Sequence, residues 1–285
     1  MNLRHLLPAS LFLLLPLFAA AAPAPKPLRV LLITGGCCHD YVGQKDVLKA
    51  GLEARANLVV EHMHTPDKST KPPLALHTDA SYGKGFDVII HDECAADISD
   101  PAALRNVLQP HLDGIPGVNL HCAMHSYRVS KEFRTPLAPG SEGAGWFDYL
   151  GLQSSAHATQ EPIAIKFVAG ASPITKGMAD WTTIKEELYN NVQPPKNFPG
   201  HTSLATGRQT TTAKDGTKKD SEFVIVWTNE FSPRKTRVFS TTIGHNTATV
   251  SDPRYLDLVA RGVLWAAGKL GADGKPAKGY GPQAK

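Results

Sequence analysis

The stretch that most constrains this chain is LRVLLITGGCCHDY, residues 28 to 41. Leu28 to Ile33 is an apolar run rich in branched residues, and glycines end it. A short run of that kind reads as a strand buried on both faces, as in parallel sheets. Thr34-Gly35-Gly36 breaks the run, since glycine lets the backbone turn sharply and approach a ligand closely. Cys37, Cys38, His39 and Asp40 follow at once, and a helical pattern begins near Gly43. Strand, glycine turn, polar cluster and helix is the order in which open α/β sheets present a site, at the carboxyl ends of their strands. Asp40 also has a purely structural reading, as the cap of the next helix.

The pattern then repeats. Gln44 to Asn57 reads as an amphipathic helix with Val47, Leu48, Leu52 and Ala56 on one face. Leu58 to His64 reads as a second strand, followed by a long polar loop over residues 65 to 85. Phe86 to His91 is a third strand, delivering Asp92-Glu93-Cys94. Asp100-Pro101 opens a helix that runs through Leu112. Pro116 to Leu120 is a fourth strand, delivering His121-Cys122-Ala123-Met124-His125. Such alternation predicts a parallel sheet with right-handed crossovers. The second half is less regular. It offers strands at Pro162 to Val168, near Ser203 to Thr211, at Phe223 to Thr228 and at Thr236 to Ile243, with a hairpin turn at Lys214-Asp215-Gly216. Asp252-Pro253 starts a last helix, Arg254 to Lys269.

Of 285 residues, 1 to 22 have the form of a secretory signal peptide: Arg4 and His5, then Leu6 to Phe18, then Ala19-Ala20-Ala21. That apolar core is too short and too proline-broken to span a bilayer. The expectation is an exported protein, periplasmic or secreted, with one domain over residues 28 to 270 and a disordered Gly-, Pro- and Lys-rich tail over 271 to 285. A net charge of +4 with scattered basic residues argues against nucleic acid. Nothing excludes a homo-oligomer. Cys37, Cys38, Cys94 and Cys122 all fall at strand ends, which suggests small residues in or beneath a site more than a disulfide framework. Of the conceivable bridges, Cys37–Cys38 is the least expected, because neighbouring residues close a strained small ring. At least one of these thiols is expected to line the pocket, and none to be needed as a bridge for stability.

Three strand ends therefore converge, and Gly244-His245-Asn246 joins them if its strand lies in the same sheet. His121, His39 and His245 are the acid/base candidates, since imidazole titrates near neutrality. Glu93 is a fourth catalytic candidate, as base or as orienter of a histidine. Gly35, Gly36, Asp40, Cys122, His125, Glu187 and Tyr189 are the candidates for holding a substrate. No H-x-x-H or C-x-x-C spacing designates a metal site, and no cofactor is assigned.

Asn119-Leu120-His121-Cys122-Ala123 has the shape of the nucleophile elbow of class I glutamine amidotransferases, G-x-C-x-G. His121 falls on the nucleophile position, Cys122 one place later and Ala123 on the second glycine, so amidotransferase chemistry is not expected. A fuller likeness is to the ThuA-like (trehalose utilisation) branch of that superfamily, from Leu28 to Leu270. It rests on Thr34-Gly35-Gly36 with His39-Asp40, the Gly117 to Ala123 strand, Pro173 to Gly177, Glu186-Glu187-Leu188-Tyr189, and Arg237 to His245. The resemblance implies an α/β fold of the flavodoxin-like, class I glutamine amidotransferase-like kind, a three-layer sandwich with a mainly parallel central sheet. It also implies a link to sugar catabolism through disaccharides oxidised to 3-keto forms. The functional expectation is an exported carbohydrate-processing enzyme, a lyase, hydrolase or isomerase of keto-glycosides, with a small carbohydrate as its partner. The alternatives are a metal-dependent hydrolase or isomerase, and a non-catalytic sugar-binding protein on the same fold.

Overall fold

The computed structural model describes residues 25 to 283; the expected signal peptide lies outside them. Nine strands alternate with helices in the first half and follow one another in the second. They are β1 (Leu28–Gly36), β2 (Leu58–His64), β3 (Val88–Cys94), β4 (Gly117–Leu120), β5 (Glu161–Phe167), β6 (Trp181–Glu186), β7 (Thr202–Thr212), β8 (Lys218–Phe231) and β9 (Thr236–Thr241). The helices are α1 (Tyr41–Glu53), α2 (Pro101–Leu112), α3 (Gly145–Leu150), α4 (Thr247–Val250) and α5 (Pro253–Ala266). Three of them start where an aspartate accepts from the first turn: Asp40 from Gly43 N–H, Asp100 from Ala102 N–H and Asp252 from Arg254 N–H. Each such cap contributes about 1 kcal/mol, and Pro101 and Pro253 preset the first turn of their helices.

One sheet runs through the molecule in the order β2-β1-β3-β4-β9-β8-β7-β5-β6. Successive residues of β1 point to opposite faces. Val30 and Leu32 join a core with Leu48 and Leu52 of α1 and Val259 and Val263 of α5. Leu31 and Ile33 join a second core with Leu104 and Val107 of α2 and Trp146 and Phe147 of α3. Helices therefore cover both faces, giving the expected three layers.

The expectation of a mainly parallel sheet needs correction. β2, β1, β3, β4 and β9 pair in parallel, but β9-β8, β8-β7, β7-β5 and β5-β6 all pair antiparallel. The reason is connection length: a parallel return needs a crossover of a dozen or more residues. Only residues 213 to 217 separate β7 from β8, and residues 232 to 235 separate β8 from β9. β8 is also longer than the sequence suggests, because its polar residues, Lys218 to Glu222, pair with the exposed end of β7.

The tail likewise differs from expectation. Residues 271 to 283 follow the body: Tyr280 packs against the first core, and its carbonyl accepts from Asn57 N–H at 3.1 Å. Asn57 Nδ2 donates to Gly279 O at 2.9 Å. One buried asparagine supplies partners that composition does not advertise. Among the described residues, no helix is long and apolar enough to cross a membrane.

On the α2 side, the His111 ring stacks on Tyr149 with centroids 4.4 Å apart and donates from Nδ1 to Ile115 O at 2.8 Å. Burial, reinforced by the adjacent His91, pushes His111 from 6.5 down to about 3. Between those values the unfolded chain holds a proton that the folded one does not, so stability falls as pH drops through that window. At about 1.4 kcal/mol per pH unit, acidification from about pH 6.5 to about pH 4.5 is expected to remove roughly 2–3 kcal/mol through this group. Urea unfolding at both pH values measures the loss, and His111→Gln should lose correspondingly less; an equal loss in the variant would refute the assignment.

Candidate functional site

The carboxyl ends of β1, β4 and β9 stand close together because β4 lies next to β9 and one strand from β1. This places the last histidine of the sequence beside the first of the strand-end histidines. His39 follows the β1 turn, His121 follows β4 and His245 follows β9. The ring centroid of His39 lies 4.7 Å from those of both His121 and His245, and the latter two are 5.4 Å apart. Glu187, just past the end of β6, reaches in from the antiparallel half. Its Oε2 is 3.4 Å from His121 Nε2 and 3.3 Å from His245 Nδ1, and its Oε1 is 3.6 Å from His157 Nδ1.

The backbone is bent to make this geometry. His121 sits at φ +39°, in the left-handed region, at the start of a 3₁₀ turn running to His125. A side chain with a Cβ pays about 1–3 kcal/mol for such a conformation, and strain of this kind marks nucleophile elbows. The ring is fixed by donation from Nδ1 to Thr242 O at 2.6 Å. In the neutral ring that bond places the proton on Nδ1, and it turns Nε2 toward the Tyr189 hydroxyl, 3.3 Å away. At Gly36, φ is +101° and a Cβ would run into the carbonyl of Cys94, so glycine is needed where β1 turns past β3.

Electrostatics separates the four groups. Burial pushes His39 down to about 3, and the neighbouring His121 and His245 rings push the same way, so His39 is neutral at physiological pH. The Glu187 contact raises His245, more than offsetting its burial. Burial alone would raise Glu187, but its contacts with His121 and His245 outweigh burial and hold it well below the usual carboxylate range. Burial pushes the Tyr189 hydroxyl well above 10, so it remains a donor, aimed at His121 Nε2.

The other candidates divide. Gly36, Cys38, His39 and Asp40 line a cavity of about 320 Å³ that the loop from His64 to Lys68 completes. Gly35 lies beneath its rim, packed on Thr65. Asp40 caps α1 and also accepts from Thr247 Oγ1 at 3.3 Å. His125 is buried, bonded to Ser154 Oγ at 2.9 Å and stacked on Tyr189 with centroids 4.0 Å apart, so it positions Tyr189 from behind. Cys122 is buried with Tyr41 and Cys94 under the turn. Glu93 is not in the cluster: it is fully buried, with Oε1 2.8 Å from His91 Nδ1 and 2.6 Å from the Tyr127 hydroxyl. Its strand position put it at the right edge, but its side chain enters the second core.

The cysteine expectation is also corrected. Cys37 and Cys38 are joined as a disulfide, and Cys37 Sγ lies 3.4 Å from Cys94 Sγ. The turn accommodates the bond because Cys38 takes φ +81°. Cys38 lines the cavity, but as half of that disulfide.

Several contributors carried no local signal. His157 reaches Glu187 because residues 157 and 189 form an isolated bridge. The side-chain amide of Gln160 lies 2.7 Å from His245 Nε2. Gln44 Nε2 donates to His245 O at 3.0 Å. Glu186 accepts from His245 N–H at 3.0 Å and Asn246 N–H at 3.3 Å, fixing the loop after β9; only its adjacency to Glu187 hinted at a shared role. Among the described residues, His39, His121 and His245 present convergent metal-type donors within 4.8 Å of one another, whereas Cys37, Cys38 and Cys94 stand equally close but two of their sulfurs are joined.

Two solved structures share the fold. A ThuA-like protein from Parabacteroides merdae is 20% identical, with a TM-score of 0.58 over 91% of this chain and 98% of its own. A ThuA-like protein from Bacteroides uniformis is 16% identical, with a TM-score of 0.56 over 86% and 94%. No curated protein sequence matches the chain. The family model described as trehalose utilisation matches residues 29 to 266, and with that span the chain belongs to the ThuA family.

Proposed function

We propose that this protein is an exported carbohydrate-active enzyme that cleaves or isomerises keto-sugars or keto-glycosides by removing the proton beside the carbonyl. One observation carries the reading: His39, His121, His245 and Glu187 converge at one sheet edge, next to a cavity. In a 3-keto-glycoside the C2 proton is acidified by the carbonyl. His121, held by Thr242 O at Nδ1, presents Nε2 to take that proton, and Glu187 stabilises the resulting imidazolium. The C2 electron pair moves into the carbonyl, and N–H donors, His39 among them, stabilise the enolate oxygen. As the carbonyl re-forms, the C1–O bond breaks and the leaving oxygen takes a proton from His245. Water then adds across C1=C2 to give the free keto-sugar. Isomerisation uses the first half of the same sequence. The ThuA family assignment supports a carbohydrate substrate, and Arg4 to Ala21 supports export.

The test is incubation of purified protein with 3-keto-trehalose and a set of 3-keto-glucosides in deuterium oxide. Expected results are release of free sugar and deuterium at C2. Tight binding of every substrate with neither release nor exchange would replace this reading with a sugar-binding protein.

A further inference from the structure

We infer that His39, His121 and His245 form a binding site for a divalent transition metal of the zinc type, with Glu187 beside the open position. Three imidazoles from three strand ends each offer one ring nitrogen, all within 4.8 Å of one another. Nitrogens around a tetrahedral zinc stand roughly 3.4 Å apart, given Zn–N of about 2.0–2.1 Å.

Outer partners already hold two of the three rings. A ligating histidine holds one nitrogen on an outer partner and turns the other to the ion. His121 gives Nδ1 to Thr242 O, leaving Nε2 inward. The Gln160 side-chain amide holds His245 at Nε2, 2.7 Å away, which turns Nδ1 inward. His39 Nδ1 is buried and unpartnered. His121 Nε2 and His245 Nδ1 both face Glu187 Oε2, at 3.4 and 3.3 Å. Both nitrogens and the carboxylate thus face one point, where a dication would meet two ring nitrogens with an anionic oxygen alongside. A set of three imidazoles with a carboxylate alongside suits zinc, cobalt or nickel more than magnesium or calcium, which take oxygen. Spacing gave no warning because the ligands are 82 and 124 residues apart in the chain.

Such an ion deepens the keto-sugar reading, on which its catalytic part rests. A Lewis acid would hold the carbonyl oxygen and the enolate, and proton removal would pass from His121 to Glu187. The binding site itself stands on the donor geometry alone.

The experiment uses the full chain, stripped with EDTA and titrated with Zn²⁺ or Co²⁺. Metal per chain is read by mass spectrometry, and the Co²⁺ complex by its visible absorption. One equivalent per chain is expected, with a visible spectrum of four- or five-coordinate Co²⁺. His39→Asn and His245→Asn should each weaken binding at least 100-fold, with unchanged circular dichroism, and Cys94→Ser should leave it unaltered. Absence of stoichiometric binding, binding indifferent to both histidine variants, or binding lost in Cys94→Ser instead would overturn the site. Bound metal with no keto-glycoside turnover would leave the site standing and remove the keto-sugar reading. Full turnover by the stripped protein would keep that reading and overturn the catalytic role of the metal.

Discussion

His121→Asn is expected to fold like the parent and to lose keto-glycoside turnover by about 10²–10⁴-fold, the usual worth of a positioned acid/base group. Asparagine is the informative replacement because position 121 lies at φ +39°, a region asparagine tolerates and most other residues avoid. Alanine there would mix backbone strain with loss of the imidazole. The asparagine amide would also retain a donor for Thr242 O, the partner of His121 Nδ1. The loss should appear in kcat with KM little changed, since His121 is expected to act on the proton in flight and not on the sugar hydroxyls. Steady-state kinetics with a thermal melt decides the matter. Turnover within about threefold of the parent would remove His121 from the chemistry and, with it, the centre of the proposed site.

The second large effect concerns stability. Glu93→Ala is expected to cost about 3–5 kcal/mol, the penalty for removing one partner of a buried ion pair. The reason lies in a chain of hydrogen bonds through the second core. Ile115 O can only accept, so His111 Nδ1 donates to it, and burial keeps His111 neutral. His111 Nε2 must then accept from His91 Nε2 at 3.1 Å. The other His91 nitrogen donates to Glu93 Oε1 at 2.8 Å, and the Tyr127 hydroxyl donates to the same oxygen at 2.6 Å. Contacts with His91 and Tyr127 outweigh burial and hold the Glu93 carboxyl below its usual range, which keeps it the acceptor at the end of this chain. At about 2–4 °C per kcal/mol for a chain of this size, the melting temperature should drop by roughly 6–20 °C. Calorimetry measures it. A drop under about 3 °C would mean that the chain of bonds is not carrying buried charge. Glu93→Gln, which preserves shape and an acceptor, should lose less stability and keep its turnover, separating this role from a catalytic one.

Glu93 and His121 are both polar residues delivered by apolar strands to one edge of a sheet. Linear reasoning cannot rank them, because a strand sends alternate residues to opposite faces and its last turn decides which way a side chain goes. His121 is thrown upward by a left-handed elbow beside Glu187; Glu93 turns into the core to meet His91 and Tyr127.

What the sequence determined is local. The run before Gly35 and Gly36, the alternation of strand and helix to Leu120, and the Asp-Pro pairs at 100 and 252 follow from burial, glycine freedom and capping, which act between near neighbours. The same kind of reading placed His39, His121 and His245 at strand ends. Only the tertiary structure decided that β9 inserts beside β4 and brings His245 to His39, and that the chain after β6 carries Glu187 against His121 and His245. Those placements depend on strand order, and strand order is a global choice. It is set by which apolar faces can be covered together and by short connections, such as residues 213 to 217, that admit a hairpin and no crossover. The packed tail belongs to the same class. It depends on Asn57 as a distant partner, which no window of neighbouring residues contains.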